Sequence, residues 1–222
     1  MTKEEIAKLS EYQLVRELQR HLKRKPVIEL KEYFNHPVID SCFEEIYRRF
    51  QKPLMFYCSR LVYDKDALDD IFHEIFINVY LNIHRFRFKK TFNAWIYRIA
   101  HNVSINFLKK HGHNEKLIIN NEYADGLTGL EYLEFRMMEN ESTVEKYAIT
   151  RELREKIDMV FKKLDHDSKA VFLLKNEFNF TFDEIAEIIG MSSRHVKSKY
   201  RQIADIFKNE LDKLQINRGH LD

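Results

Sequence analysis

The stretch Thr181–Ile203, TFDEIAEIIGMSSRHVKSKYRQI, has the pattern of two helices joined by a tight turn. Thr181 and Glu184 have the spacing of a capping box, which satisfies the free backbone donors at the start of a helix. Gly190 opens a three-residue turn, and Ser192 can cap the second helix. Apolar residues share one face of each helix: Phe182, Ile185, Ala186 and Ile189, then Val196, Tyr200, Ile203 and Phe207. The stretch therefore predicts a helix-turn-helix, in which the small Ala186 lets the helices cross closely.

The outward face of the second helix is basic. Residues 193–208 contain five Lys or Arg and a single acid, Asp205. Cationic side chains neutralise phosphates, and a helix presented by such a turn can enter a major groove. We predict DNA contacts by the outward residues Arg194, Lys197, Ser198 and Arg201, with Lys199 flanking them. A helix-turn-helix that serves only as a packing unit is the alternative, and the basic face favours DNA binding.

The composition of the whole chain favours an all-α fold. Only 5 glycines and 3 prolines interrupt its 222 residues, which suffice for two small domains. Scarce glycine argues against a glycine-rich phosphate loop and against most turn-rich β architectures. No apolar run approaches the roughly 20 residues of a membrane span, and the charged N-terminus lacks the apolar core of a signal peptide. We therefore expect a cytoplasmic protein with no membrane association.

The sequence offers little for a metal, a cofactor or a catalytic residue. Cys42 and Cys58 stand apart without a CxxC pair, which predicts buried free thiols in a reducing compartment. His73 and Glu74 begin like an HExxH zinc motif, but Ile77 occupies the position of its second histidine. We expect no metal and no cofactor, and an enzyme is the least favoured class.

Charge is segregated along the chain, although the net charge is only +2. Residues 75–114 contain no acid and seven bases: Arg85, Arg87, Lys89, Lys90, Arg98, Lys109 and Lys110. Aromatic residues are interleaved with them, among them Phe86, Phe88, Phe92, Trp95 and Tyr97. Cations suit phosphates and flat rings suit unstacked bases, so this block is typical of a surface that binds single strands. An ordinary solvated basic face is the alternative, and composition alone leaves both open.

Helical periodicity organises the first half of the chain. It predicts helices over residues 42–61 and 66–83, and the second has a core stripe of Leu68, Ile71, Phe72, Ile75, Phe76 and Val79. Another side of that helix combines acids with exposed aliphatic residues: Asp70, Glu74, Ile77 and Leu81. Such a mixed strip predicts a second packing partner, either another helix of this chain or a different protein.

A third helix, predicted over residues 92–110, has two unlike faces. Its apolar face contains Phe92, Ile96, Ile99, Val103 and Phe107, with Trp95 beside them. Its opposite face contains Arg98, His101, Asn102, Ile105 and Lys109. A polar and basic face opposite a buried one is the geometry of a helix laid on nucleic acid.

The complete pattern predicts two small helical domains joined by an acidic linker. An N-terminal extension, 1–37, contains a helix that begins with the capping box of Ser10 and Gln13 and buries Leu14, Leu18 and Leu22. A helical domain at 38–111 precedes a linker at 112–149, which is rich in acids. The helix-turn-helix domain then covers 150–214, and a tail covers 215–222.

These motifs, in this order and spacing, resemble the extracytoplasmic-function (ECF) type of bacterial sigma factor over about residues 42–110 and 150–211. ALDDIFHEIFINVY at 67–80 resembles the helix of that family that binds core RNA polymerase. FNAWIYRIAHN at 92–102 is similar to the segment that opens and reads the minus-ten element. LDHDSKAVFLL at 164–174 and the helix-turn-helix resemble the part that reads the minus-thirty-five element.

The resemblance implies a subunit that directs core polymerase to specific promoters and assists strand opening, with no catalysis of its own. It places Asp70, Glu74, Ile77 and Leu81 on the clamp helices of the polymerase β′ subunit. It assigns the minus-ten strand to Phe86 and Asn102, which would frame a flipped base, and to Arg87, Lys89, Lys90, Trp95 and Arg98. It assigns the minus-thirty-five duplex to Arg194, Lys197, Ser198, Lys199, Arg201 and Gln202. It also implies an anti-sigma factor as a partner and a linker that threads the polymerase channel.

The sequence departs from the family pattern at several reading positions. Phe88 and Lys89 stand where relatives often have Gly-Asp, and Arg194 and His195 replace a commonly small residue and Thr. The promoter sequence therefore cannot be copied from relatives. Residues 1–35 lie outside the resemblance, and we interpret them as an anti-sigma docking surface or a stabilising cap. The alternative function is a stand-alone helix-turn-helix regulator, which needs only 150–211 and would footprint a palindrome as a dimer.

Overall fold

The computed structural model describes residues 1–22, 36–62, 64–89, 91–111, 157 and 159–213. The chain divides into two compact units, Met1–Tyr132 and Leu133–Asp222. All regular elements within the described residues are helical, so the prediction of an all-α fold is confirmed. The predicted acidic linker, 112–149, and the tail, 215–222, lie outside the described residues. The predicted domain boundaries stay predictions.

The described residues of the first unit form five α-helices and one 3₁₀ turn. They are α1 (Lys3–Ala7), α2 (Glu11–His21), α3 (Pro37–Leu61), α4 (Lys65–Asn82), the 3₁₀ turn (Ile83–Arg85) and α5 (Phe92–His111). Helices α3, α4 and α5 pack against one another, while α1 and α2 pack on α3. Helix α2 also contacts the 3₁₀ turn that leads out of α4. The predicted N-terminal helix is therefore present as α2, and it is part of this unit.

Local capping explains where the N-terminal helices begin. The Thr2 and Ser10 side chains accept from Glu5 N and Gln13 N, and the Glu5 and Gln13 side chains accept in return from the cap backbones. These are two reciprocal capping boxes. The segment is tied to α3 by Arg49, whose guanidinium donates to the Ala7 carbonyl at 2.9 Å. It follows that residues 1–22 are held by both their own caps and the neighbouring helix.

The predicted apolar stripes form the core of the first unit. All six residues of the α4 stripe are buried except Phe76, which is half-buried. Leu14, Leu18 and Leu22 of the N-terminal segment are fully buried. Cys42 and Cys58 are buried free thiols, as predicted, and desolvation raises the pKa of Cys42 to about 11 and that of Cys58 to about 12.

The second unit contains α6 (His166–Asn176), α7 (Phe182–Ile189) and α8 (Ser193–Lys213). The capping box of Thr181 and Glu184 starts α7, and Ser192 Oγ accepts from the His195 backbone N–H at 3.2 Å at the start of α8. Gly190 ends α7 in the left-handed region, with φ of +74°, where a side chain would be strained. The helix-turn-helix is therefore confirmed down to its caps and its turn.

The inward face of α8 anchors the second unit. Val196 and Ile203 are buried, and the Phe207 ring stacks on Phe172 of α6 with centroids 4.8 Å apart. The Tyr200 hydroxyl donates to the Asn176 side chain at 2.9 Å. Because this face is used for packing, the opposite face of α8 is directed outward.

In the part of the chain that the structure describes, no helix has the length and apolar character required to cross a membrane. Among the same residues, no group of three or more His, Cys, Asp or Glu side chains could hold a metal ion.

Candidate nucleic-acid interface

The connection between α4 and α5 carries a layer of aromatic rings. Phe86 is 6% exposed, and its ring meets those of Phe88, Phe92 and Trp95 at centroid distances of 5.2, 5.6 and 5.5 Å. Phe88 lies at the outer end of the layer and is 37% exposed. Since Phe86 is enclosed by its neighbours, it forms the floor of this surface, and Phe88 is the more accessible of the two rings.

This arrangement corrects the sequence-based assignment of the loop. The resemblance predicts that Phe86 frames a base directly, but its ring is buried and hardly accessible. Phe88 was absent from the predicted site, although it lies among the interleaved aromatic residues. Sequence alone does not say which of two phenylalanines spaced two apart turns inward, because that depends on the helices behind them.

The outer face of α5 continues from this layer. Trp95 is half-buried, whereas Arg98 and Asn102 are exposed, and their spacing of three and four residues places all three on one face. Arg87 and Lys89 of the preceding loop are exposed as well. The side chain of Lys90 lies outside the described residues. The structure thus groups rings, an amide and cations along the loop and α5.

His101 is wrongly placed by the helical-wheel argument. It is 4% exposed, and its Nδ1 lies 3.0 Å from the Tyr57 hydroxyl in the core. Desolvation, with a smaller contribution from Lys109, lowers the pKa of His101 to about 4. The imidazole is therefore neutral at physiological pH and belongs to the packing of α5 against α3.

The N-terminal helix α2 reaches the same loop. Gln19 Nε2 donates to the carbonyls of Ile83 and Phe86 at 2.9 and 2.8 Å. The ring of Tyr12 lies against that of Phe88, with centroids 4.5 Å apart. No sequence signal pairs residues that are so distant along the chain. These contacts place α2 at the edge of the candidate interface.

The predicted strip on α4 is directed outward. Asp70, Glu74 and Ile77 are exposed, and Leu81 is half-buried. Ile77 is 58% exposed, which is unusual for an isoleucine in the middle of a helix. An aliphatic side chain flanked by carboxylates suits a protein surface with both apolar and basic groups.

The outward face of α8 contains the predicted DNA-contacting residues, with one correction. Five of the six are exposed: Arg194, Lys197, Ser198, Arg201 and Gln202. The side chain of Lys199 is only 15% exposed, and its ammonium lies 3.2 Å from Asp165 Oδ1 and 3.3 Å from Ser168 Oγ. Although burial alone would raise it, hydrogen bonds from Ser168 and Lys199 hold the pKa of Asp165 below its usual value. Lys199 thus pairs α8 with the start of α6, and we leave it out of the proposed DNA contacts.

Comparison with known proteins identifies both domains. Residues 46–114 match the family model Sigma-70 region 2, and residues 154–205 match Sigma-70, region 4, so the two matches together cover more than half of the chain. The ECF RNA polymerase sigma factor SigW of Bacillus subtilis is 25% identical over 171 residues, which are 77% of this chain and 89% of SigW. The chain belongs to the ECF family of RNA polymerase sigma factors. The ECF RNA polymerase sigma-E factor of Haemophilus influenzae is 26% identical over 178 residues, 78% of this chain and 89% of its own.

Two solved structures share the fold of this ECF sigma factor. The structure of CnrH in complex with the cytosolic domain of CnrY aligns with a TM-score of 0.55 at 14% identity, over 90% of this chain and 96% of that chain. The sigma factor RpoE in complex with the anti-sigma factor NepR from Bartonella quintana gives a TM-score of 0.52 at 14% identity, over 79% and 98%. The predicted family is confirmed, and with it a function in transcription initiation rather than in enzymatic catalysis.

Helices α1 and α2 precede the matched part of the first domain, which begins at residue 46. The contacts of α2 with the loop before α5 are therefore features of this chain that the region 2 match does not cover.

Proposed function

We propose that this sigma factor holds promoter DNA with two separate surfaces while α4 attaches it to the polymerase. The first domain would bind the melted strand, and the helix-turn-helix would bind intact duplex. The observation that carries the proposal is the face of α5 formed by Trp95, Arg98 and Asn102, which ring contacts through Phe86 connect to the exposed ring of Phe88. Rings, an amide and cations on one face are what an unpaired strand requires.

On the proposed strand-opening surface, favourable contacts with the extruded base would offset the cost of opening the duplex. Extruding a base from the duplex costs a few kcal/mol, which stacking and hydrogen bonds in the site must offset. Phe88 offers an accessible ring over the floor of Phe86, and the Asn102 amide can donate to and accept from a base edge. Phosphates of the same strand would be neutralised by the neighbouring cations Arg87, Lys89, Lys90 and Arg98.

The duplex-binding surface is the outward face of α8. A recognition helix places its N-terminal residues against base edges in the major groove, so Arg194, Lys197 and Ser198 are the proposed readers. Arg201 and Gln202 lie one turn later, where contacts with the phosphate backbone are expected. Lys199 supports this face indirectly because its pairing with Asp165 fixes α8 against α6.

The attachment to polymerase would use the strip on α4. Ile77 supplies an exposed apolar contact, and Asp70 and Glu74 supply charges for basic partners on the β′ clamp helices. Leu81 extends the apolar part by one turn.

Three further proposals concern the setting of this activity. One similar structure contains the sigma factor RpoE bound to the anti-sigma factor NepR, and the other contains CnrH bound to the cytosolic domain of CnrY. We propose that this chain also has an anti-sigma factor, and that it acts in the cytoplasm, where polymerase and promoters are found. The acidic linker would thread a basic channel of the polymerase.

The test is reconstitution of the full chain with core RNA polymerase on genomic DNA fragments. We expect co-elution with the polymerase and transcripts that start downstream of an asymmetric pair of elements. Failure of both would contradict the proposal. A palindromic footprint formed without polymerase would instead support the stand-alone regulator.

A further inference from the structure

An exposed pair of aromatic rings extends the candidate strand-binding surface onto the N-terminal helix. Tyr12 of α2 is 51% exposed, and its ring is tilted by 53° against that of Phe88. Phe88 in turn contacts the buried Phe86, which contacts Trp95. The rings therefore form a continuous series from α2 across the loop to α5. The two rings at the α2 end of this series are accessible, which indicates a surface that can bind a flat ligand.

Helix α2 is fixed to the loop by more than this ring contact. The Gln19 amide donates to two loop carbonyls, Ile83 O and Phe86 O, which gives the loop a defined position relative to α2. Tyr12 and Gln19 are seven residues apart and so lie on one face of α2, and the exposed Arg16 lies between them. The same face thus supplies a ring, a cation and the amide that holds the loop.

The charges around the ring pair favour an anionic partner. Arg16, Arg87 and Lys89 are exposed cations on the two segments that carry the rings. The acids of α2 are engaged elsewhere: Glu17 pairs with Arg20 and His21, and Glu11 is partly desolvated and faces the charge of Arg49. A flat ligand with negative charge fits this pattern, and an unpaired nucleotide has both properties.

We propose that α2 completes the single-strand site. An unpaired base of the melted promoter would stack on the pair of rings formed by Tyr12 and Phe88, and Gln19 would position the loop for it. The proposal rests on the proposed function, because it assumes that the first domain binds melted DNA. It assigns α2 a part in DNA binding, whereas the sequence analysis interprets residues 1–35 as an anti-sigma docking surface or a stabilising cap.

Photo-crosslinking of the reconstituted holoenzyme tests the proposal directly. The probe is a single-stranded oligonucleotide with 5-bromodeoxyuridine at every position, since halogenated bases crosslink to the rings on which they stack. Trypsin separates the peptide with Tyr12, residues 9–16, from the peptide with Trp95, residues 91–98. We expect crosslinks on both peptides.

Variants separate stacking from structural support. Tyr12→Leu should remove the 9–16 crosslink and weaken oligonucleotide binding about fivefold or more. This factor corresponds to the lower end of the range for the loss of one base–aromatic stacking contact. Gln19→Glu, which loses the amide donor at nearly constant shape, should reduce the 9–16 crosslink although Tyr12 is intact. The matched control is Tyr47→Leu, an exposed tyrosine on α3 whose ring contacts Phe72 and Phe76 of α4. This control should keep the 9–16 crosslink.

The outcomes distinguish the two levels of the account. Crosslinks on 91–98 without any on 9–16 would overturn the role of α2 and leave the proposed function standing. Absence of crosslinks from both peptides would contradict the proposed function itself. A Tyr12→Leu protein that melts at the wild-type temperature and binds the oligonucleotide as tightly as wild type would also overturn the role of α2.

Discussion

At the scale of single residues, burial divides neighbours on α5 into structural and functional groups. His101 is enclosed and neutral, while Asn102, the next residue, is exposed beside Arg98. Both are polar and both fall on the outward half of a helical wheel, so sequence alone treats them alike. The Tyr57 hydroxyl on α3 decides the difference, because it gives the imidazole a buried partner.

Replacing Asn102 with Ala should impair strand opening and spare duplex binding, because we propose that its amide meets a base that has left the stack. We expect the fluorescence increase of 2-aminopurine in the minus-ten element to be lost, with the protein still bound to upstream duplex. A parallel loss in both assays would argue against a base contact.

His101 should make the protein less stable in acid. Its folded pKa of about 4 lies below the ordinary value of 6.5, so between these values the unfolded chain binds a proton that the folded chain does not. The free energy of unfolding should therefore fall as pH falls from about 6.5 to 4, by up to about 3 kcal/mol from this group. The free energy of unfolding, measured with urea across this range, should depend more steeply on pH for wild type than for His101→Gln. Equal slopes would contradict the assignment.

At the scale of elements, each functional helix has one face occupied by packing and another that is available. Val196, Ile203 and Phe207 fix α8 from within, which leaves Arg194, Lys197 and Arg201 outward. In the same way, packing of the α4 stripe in the core leaves Asp70 and Glu74 exposed. This division explains why surface substitutions on these helices should separate binding from folding.

Arg201→Ala and Lys199→Ala should have different consequences on α8. Loss of a phosphate contact at Arg201 should reduce the salt dependence of duplex binding by about one unit of slope. Lys199 is paired with Asp165, so its replacement should lower the melting temperature and leave the slope unchanged. Binding titrations at several salt concentrations, together with thermal melting, distinguish the two. A reduced slope for Lys199→Ala would return it to the DNA contacts.

Charge reversal on α4, Asp70→Lys with Glu74→Lys, should abolish association with core polymerase. Both carboxylates are exposed, so the melting temperature should change little. Gel filtration with core polymerase measures the first effect and circular dichroism the second. Retained association would move the polymerase contact to another surface.

Local signals in the sequence predicted most of these elements, but not the contacts between distant ones. Capping boxes at Ser10 and Thr181, the turn at Gly190 and the α4 stripe depend on neighbours within a few residues, and all are present. By contrast, Gln19 contacts Ile83, which is 64 positions away in the sequence, and Lys199 contacts Asp165, which is 34 positions away. Such pairings follow from the packing of whole helices, which periodicity does not specify.

At the scale of the whole molecule, the two units carry different kinds of surface. The first combines aromatic rings with cations, which suits unpaired DNA, and the second presents a basic helix face, which suits duplex. The predicted acidic linker separates the two basic regions in the sequence. Division of labour between the two units is therefore the central claim.

Transcription from one promoter, supplied either as intact duplex or premelted over the minus-ten element, tests that claim most directly. Premelting removes the cost of opening but leaves the upstream duplex contact unchanged. We predict that premelted DNA restores transcription by the Asn102→Ala holoenzyme and does not restore it for Lys197→Ala with Arg201→Ala. Equal rescue of both variants, or rescue of neither, would contradict the account.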